Sequence, residues 1–162
     1  YINSPETPLY KKGDNLYVAS IVALKADTGE YVWHYQTTPG DTWDYDAVSP
    51  MMTIDVTMNG EKKHVLVQPN KNGMLYVLNV ADGKLLSADA FTEVNWNTGV
   101  DMKTGRPKVV EAAKYEKEGW NLAPGVQGGH SWHPLRGAAS RTSDRRRGGR
   151  SFPRRGRSRP RE

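Results

Sequence analysis

Leu16-Tyr-Val-Ala-Ser-Ile-Val-Ala-Leu24 is followed by Asp27-Thr28-Gly29 and Tyr31-Val-Trp-His-Tyr35, and this stretch decides the fold. The first and last segments are rich in β-branched and aromatic residues, which is typical of β-strands. The Asp-Thr-Gly between them is typical of a tight turn, in which glycine supplies the positive φ. The stretch therefore predicts an antiparallel hairpin whose first strand, Leu16–Leu24, is buried.

Hairpin patterns recur along the chain. Asn59-Gly60 favours a type I′ turn and separates two strand-like segments, Met51–Met58 and Lys63–Gln68. Two further strands are predicted at 74–79 and 84–87, around Ala81-Asp82-Gly83, and Asp101 to Gly105 closes another short unit. Gly29 and Gly83 are 54 residues apart, which is close to the period of one four-stranded propeller blade. The sequence predicts an all-β fold, part of a β-propeller with about two to three four-stranded blades.

The charge of the chain is unevenly distributed. Residues 1–135 contain 12 Lys and Arg against 16 Asp and Glu, whereas residues 136–162 contain 11 Arg against Asp144 and Glu162. The second part is composed mostly of Arg, Gly, Ser and Pro and cannot form a hydrophobic core. We therefore predict a partial propeller over residues 1–135 and a disordered tail over 136–162. The tail is interpreted as an out-of-frame translation, an inert disordered segment or an arm that binds nucleic acid.

Several classes of protein are excluded by what the sequence lacks. There is no cysteine, so the chain has no disulfide or thiolate–metal framework. No run of about 18 apolar residues occurs, so no membrane span is expected in this stretch. The chain begins with Tyr1 instead of Met, and we expect it to be an internal fragment that is inactive alone.

Trp43-Asp44-Tyr45-Asp46 combines two carboxylates with two aromatic residues. In an extended segment Asp44 and Asp46 would point to the same side and Tyr45 to the other. Two carboxylates so close together repel each other, which costs free energy unless a cation compensates their charge. The stretch is interpreted as an active-site loop, and a solvated Asp-rich turn is the alternative.

Four segments, taken in order, resemble the middle of a quinoprotein alcohol dehydrogenase, a family that uses pyrroloquinoline quinone (PQQ). They are Gly13–Tyr35, Thr38–Asp46, Asn70–Gly73 and Gly129–Pro134. The first contains most of the family's tryptophan-docking repeat, with Lys25 where Asp is usual. The resemblance implies that Trp33 packs between blades and donates its indole N–H to a main-chain acceptor, as a core residue.

The resemblance also implies roles for the site residues. Asp44 falls at the position of the catalytic base, which takes the hydroxyl proton of the alcohol. Lys71 falls at the position whose cation contacts the quinone oxygens. Ser131 and Trp132 fall where related enzymes place a polar residue and a Trp against the cofactor. Without the resemblance, Lys71 would be interpreted as a solvated turn lysine.

A metal site is implied by the same resemblance, because the family holds a hard cation beside PQQ. Asp44, Asp46 and Asn3 are its expected ligands in this chain. The carboxylate at Asp46 resembles the lanthanide-dependent branch more than the Ca²⁺ branch, since a trivalent ion favours one more anionic oxygen. We therefore expect a lanthanide(III) ion, with Ca²⁺ as the alternative.

The leading hypothesis is a fragment of a periplasmic PQQ-dependent alcohol dehydrogenase. It would oxidise primary alcohols to aldehydes by hydride transfer to metal-bound PQQ and pass electrons to a cytochrome c. The alternative is a non-catalytic β-propeller scaffold, which would have no use for Asp44, Asp46 and Lys71 together. No nucleic-acid partner is expected.

Overall fold

The structure is a computed structural model that describes residues 13–114, 117, 119–130 and 133. Its described part is built from β-strands and one short 3-10 helix, which confirms the predicted all-β class. The strands are β1 (Ser20–Leu24), β2 (Tyr31–Gln36), β3 (Met52–Met58), β4 (Glu61–Pro69), β5 (Met74–Asn79), β6 (Leu85–Ala90), β7 (Asn97–Val100) and β8 (Pro107–Val109). The 3-10 helix, Glu111–Ala113, follows β8.

The strands form one complete sheet and two hairpins. β3, β4, β5 and β6 pair in chain order as an antiparallel four-stranded sheet, the size of one propeller blade. β1 pairs with β2 before this sheet, and β7 pairs with β8 after it. In β5 the side chains of Met74, Tyr76 and Leu78 are buried in alternation, so one face of the complete sheet packs on the core.

The first predicted strand is wrong at its beginning. β1 begins at Ser20 and not at Leu16, and Leu16 and Tyr17 lie in a turn and are about half exposed. Ala19 has a φ of 49°, which breaks the extended backbone immediately before the strand. The apolar run therefore divides into an exposed turn and a strand of five residues.

The predicted hairpin turns are confirmed. Asn59 and Gly60 have φ values of 52° and 82°, the pair of positive angles that a type I′ turn requires. They connect β3 to β4 with Met58 opposite Glu61. The predicted turn at Ala81-Asp82-Gly83 connects β5 to β6, and the turn at 101–105 connects β7 to β8.

Trp33 joins the first hairpin to the complete sheet. Its indole Nε1 donates a hydrogen bond to the carbonyl oxygen of Val80 at 2.9 Å. A Cβ atom at Gly83 would lie 2.5 Å from the indole ring, so glycine is needed for the ring to lie flat against this turn. The prediction of a core Trp33 is confirmed. Lys25, which occupies the position where the repeat usually has Asp, forms a surface ion pair with Glu30 at 2.6 Å.

The predicted boundary at residue 135 lies outside the described residues, and so does the tail from 136 to 162. Of the part of the chain that the structure describes, no helix has the length and apolar character to cross a membrane.

Candidate active site

The loop between β2 and β3 carries the predicted base. Its backbone is irregular, as a loop should be, and Asp44 has a φ of 65°, so the two aspartates do not lie on an extended segment. The side chains nevertheless alternate: Tyr45 is fully buried, whereas Asp44 and Asp46 are about half exposed. The alternation results from the burial of the aromatic residues and not from strand geometry.

Asp41 accepts hydrogen bonds from two backbone amides of this loop. Its Oδ1 accepts a hydrogen bond from the backbone N–H of Trp43 at 2.9 Å, and its Oδ2 accepts one from the backbone N–H of Tyr45 at 2.8 Å. These two amides flank Asp44 in the sequence. Burial raises the pKa of Asp41 to about 6, against the lowering effect of the two backbone hydrogen bonds, and the charges of Asp46 and Asp44 raise it further.

Trp43 and Tyr45 anchor the loop in the aromatic core. Their rings stack at 5.7 Å, and both contact Trp96, at 5.2 and 5.7 Å. The indole Nε1 of Trp43 donates to the carbonyl oxygen of Ala113 in the 3-10 helix, at 2.6 Å. The hydroxyl of Tyr45 donates to the carbonyl oxygen of Pro124. Three later segments of the chain therefore hold the backbone on both sides of Asp44.

Lys71 lies where the two carboxylates converge. Its Nζ is 3.1 Å from Asp44 Oδ2 and 3.5 Å from Asp46 Oδ2. The lysine side chain is 14% exposed, whereas the carboxylates are 46% and 49% exposed. Burial alone would lower the pKa of Lys71, but its interactions with Asp44 and Asp46 outweigh this and raise the pKa above its ordinary value. Lys71 is therefore a fixed positive charge beneath two accessible carboxylates.

A chain of buried amides surrounds Lys71 in the sequence. Asn70, Asn72 and Gln68 are all fully buried. The Asn72 side chain accepts from the backbone N–H of Met74 at 3.0 Å and donates to the hydroxyl of Tyr76 at 2.9 Å. The backbone N–H of Asn72 donates to Asn70 Oδ1 at 3.1 Å, which links the two asparagines.

The same amides reach the carboxylate loop. Asn70 donates to Gln68 Oε1 at 3.0 Å, and Gln68 donates in turn to the carbonyl oxygens of Ala47 and Ser49, at 3.0 and 2.8 Å. Because buried amides are costly unless they are hydrogen-bonded, such a network specifies one geometry. The turn that carries Lys71 is thereby fixed relative to the backbone just after Asp46.

Two glycines pack directly on Lys71. The backbone N–H of Gly129 donates to the carbonyl oxygen of Lys71 at 2.8 Å. Gly128 has a φ of 79°, and a Cβ atom there would lie 2.2 Å from Lys71 Cγ and 2.7 Å from its carbonyl oxygen. No larger residue fits at Gly128 without displacing the lysine.

The structure brings together three of the predicted site residues, Asp44, Asp46 and Lys71, and their assigned roles remain predictions. Asn3, Ser131 and Trp132 lie outside the described residues. The sequence patterns did not identify Asp41, Gln68, Asn70, Asn72 or Gly128 as part of the site. A signal for the three amides was available in the sequence. Polar residues alternate at the end of a predicted strand, at Gln68, Asn70 and Asn72.

The donor chemistry of the site fits a hard cation and an acidic cofactor in part. Asp44 and Asp46 offer the carboxylate oxygens that such cations prefer, and Lys71 offers a positive charge. Within the described residues no group of three or more His, Cys, Asp and Glu is placed to hold a metal ion, so further ligands are needed. Among those residues, three buried side-chain atoms have no hydrogen-bond partner: Thr42 Oγ1, Asn97 Nδ2 and His130 Nδ1.

Comparison with known proteins gives a consistent result. The family profile for the PQQ glucose/ethanol/alcohol dehydrogenase β-propeller domain matches residues 8–94. A quinohemoprotein alcohol dehydrogenase of Pseudomonas putida is 50% identical over 127 residues, which cover 76% of this chain and 18% of the relative. A 1-butanol dehydrogenase (cytochrome c) of Thauera butanivorans is 52% identical over 95 residues, covering 59% of this chain and 14% of the relative.

A solved structure shares the fold. A europium-containing methanol dehydrogenase superimposes with a TM-score of 0.73 at 37% identity, over 77% of this chain and 22% of its own. The chain spans about a fifth of the length of the relatives it matches. The chain belongs to the PQQ-dependent alcohol dehydrogenase family and forms part of its β-propeller domain.

Proposed function

We propose that this chain carries the base and the quinone-contacting lysine of a dehydrogenase that oxidises primary alcohols to aldehydes. The observation that carries the proposal is the convergence of Asp44 and Asp46 on Lys71 Nζ, at 3.1 and 3.5 Å. The lysine comes from a different turn of the chain, 27 residues after Asp44. A propeller used only as a scaffold would not need a largely covered lysine beneath two carboxylates that are about half exposed.

In this proposal Asp44 acts as the general base. Its carboxylate is 46% exposed, so it can reach the hydroxyl group of a bound alcohol and accept the proton as the C–H bond breaks. The left-handed backbone at Asp44 and the buried rings of Trp43 and Tyr45 on either side hold that carboxylate in place. Such preorganisation is what a base needs, because small displacements lower the rate strongly.

Lys71 is proposed to supply positive charge to the quinone. Lys71 would contact PQQ, which would serve as the hydride acceptor when bound, and the metal ion beside it would supply Lewis-acid chemistry. The Lys71 ammonium is fixed by its buried stem and by the neighbouring amides, so it offers charge without reorganisation. Ser131 and Trp132 are proposed to contact the cofactor as well.

Asp44 and Asp46 are proposed to hold the metal ion, with Asn3 as a third ligand. A lanthanide(III) ion is proposed over Ca²⁺ because Asp46 adds a second carboxylate. The structural similarity to a europium-containing methanol dehydrogenase supports this choice. The name of the Thauera butanivorans relative supports a cytochrome c as electron acceptor. A periplasmic location is proposed from the family resemblance alone.

The base is tested in a chimeric full-length enzyme, called the full-length host. In this host, the stretch of this chain that matches the Pseudomonas putida relative replaces its counterpart in that relative. Asp44→Asn removes the base and keeps the shape of the side chain, and we expect the kcat for dye-linked alcohol oxidation to fall by about 10²-fold or more. Asp55→Asn, which alters an exposed carboxylate on β3, is the matched control. Undiminished turnover in Asp44→Asn would refute the proposal.

The metal is tested in the same host, reconstituted with PQQ and either Ca²⁺ or La³⁺. We expect La³⁺ to support turnover. We expect Asp46→Ala to abolish the turnover that depends on La³⁺ and to spare any turnover that depends on Ca²⁺. If Ca²⁺ alone supports turnover and Asp46→Ala changes nothing, the lanthanide assignment is wrong.

A further inference from the structure

We propose that Asp41 is a positioning residue for Asp44, and that it acts through both oxygens of its carboxylate. The inference rests on the proposed function, because it concerns the orientation of the proposed base. Asp41 binds the backbone on the two sides of Asp44, through the N–H groups of Trp43 and Tyr45.

The geometry explains how a side chain three positions earlier fixes the base. Asp44 has a φ of 65°, a left-handed conformation that residues other than glycine adopt only with support from their surroundings. The two amide groups that flank it point at one carboxylate, at 2.9 and 2.8 Å. Hydrogen bonds to an ionised acceptor are stronger than neutral ones. The Asp41 carboxylate therefore holds the backbone in the turn that directs Asp44 towards Lys71.

A carboxylate is required here because each oxygen serves a different amide. An Asn side chain has the same shape but only one acceptor oxygen, and its NH2 group would face the N–H of either Trp43 or Tyr45. Asp101 provides the contrast within the same chain. Its Oδ1 alone accepts from the backbone N–H groups of Lys103 and Thr104, at 2.8 and 3.3 Å, so Asn can replace it.

The test compares Asp41→Asn with Asp101→Asn in two measurements. In the full 162-residue chain, hydrogen–deuterium exchange of the peptide spanning 42–46 is expected to accelerate in Asp41→Asn, while exchange in β5 and β6 stays unchanged. In the full-length host, kcat is expected to fall by about 10- to 100-fold with little change in the KM for alcohol. Asp101→Asn is expected to leave exchange at 42–46 and kcat unchanged.

Two outcomes would overturn the inference. Unchanged exchange at 42–46 in Asp41→Asn would show that the carboxylate does not hold the loop. Unchanged kcat, in a host where Asp44→Asn abolishes turnover, would show that it does not position the base. If Asp44→Asn itself leaves turnover intact, the proposed function fails instead, and the exchange result still decides the structural role of Asp41. Asp41→Ser, which also keeps one acceptor, replaces Asp41→Asn if exchange in β5 and β6 shows that the latter is misfolded.

Discussion

Gly128→Ala should move Lys71 away from the two carboxylates while Lys71, Asp44 and Asp46 themselves remain unmutated. The new Cβ would lie 2.2 Å from Lys71 Cγ and 2.7 Å from the Lys71 carbonyl oxygen. Carbon atoms in ordinary contact are about 3.5–4.0 Å apart, so one of the two segments must retreat by more than about 1 Å. The carbonyl oxygen belongs to the backbone, and rotation of the lysine side chain alone cannot relieve that collision.

The expected magnitude has two parts. Placing Ala at a φ of 79° costs roughly 1–2 kcal/mol of stability in any left-handed position. The collision with Lys71 adds about 1–3 kcal/mol, the usual cost of inserting an atom into a packed site. A displacement of the ammonium by about 1 Å is expected to lower kcat by up to about 10²-fold, because Lys71 would no longer lie between Asp44 and Asp46.

Gly60→Ala is the matched control for this variant. Gly60 has a φ of 82°, and a Cβ atom there would meet nothing within 4 Å, so the control carries the backbone cost without the collision. Urea unfolding of the full chain and turnover of the full-length host should both separate the two variants. The reasoning is refuted if Gly128→Ala and Gly60→Ala are equally stable, or if their kcat values agree.

Two further predictions concern stability. Trp33→Phe removes the hydrogen bond to the Val80 carbonyl and should lower the free energy of unfolding of the full chain by about 1–3 kcal/mol. The kcat of the full-length host should not change. A large loss of kcat at unchanged stability would contradict the assignment of Trp33 to the core. The raised pKa of Asp41, about 6 against an ordinary 3.8, means that the folded state binds this proton more tightly than the unfolded state. This contribution to stability is fully present below the ordinary pKa and is lost as the pH rises through the folded pKa. Between about pH 4 and pH 7 the free energy of unfolding of the wild type should therefore fall by about 2 kcal/mol relative to that of Asp41→Asn. A constant difference between the two proteins in urea unfolding over that interval would contradict this prediction.

The hairpins were predictable because their turns are determined locally. Asn59-Gly60 adopts two positive φ angles that few other dipeptides accept, so the turn is encoded in two residues. The start of β1 was not predictable in the same way. Leu16 and Tyr17 have the composition of a strand, but the positive φ at Ala19 reflects the hydrogen bond from the Thr37 backbone N–H to the Ala19 carbonyl, which is a contact between distant residues.

The spacing of Asp44 and Asp46 singled them out as a candidate site, but only the family resemblance added Lys71 and assigned roles to the three residues. Nothing in a separation of 27 residues places a lysine beside two acids. Lys71 is placed there by the β4–β5 turn, which is fixed by Asn70 and Asn72 on either side of it. Those asparagines look like ordinary turn residues in the sequence, and their complete burial is visible only once Thr38 and Tyr76 are seen to surround Asn72.

Asp41 and Asp101 show why the positioning residues could not be separated from ordinary turns. Each is an aspartate whose side chain accepts hydrogen bonds from backbone N–H groups two to four residues later, and the two local patterns look alike. The difference comes from the side chains that carry those amides: Trp43 and Tyr45 are drawn into a core made with Trp96, whereas Lys103 and Thr104 remain at the surface. Burial of the two rings turns the flanking amides towards opposite oxygens of one carboxylate. The demand for an acid at Asp41 is thus set by a tryptophan more than 50 residues later, and the sequence of the loop by itself does not contain it.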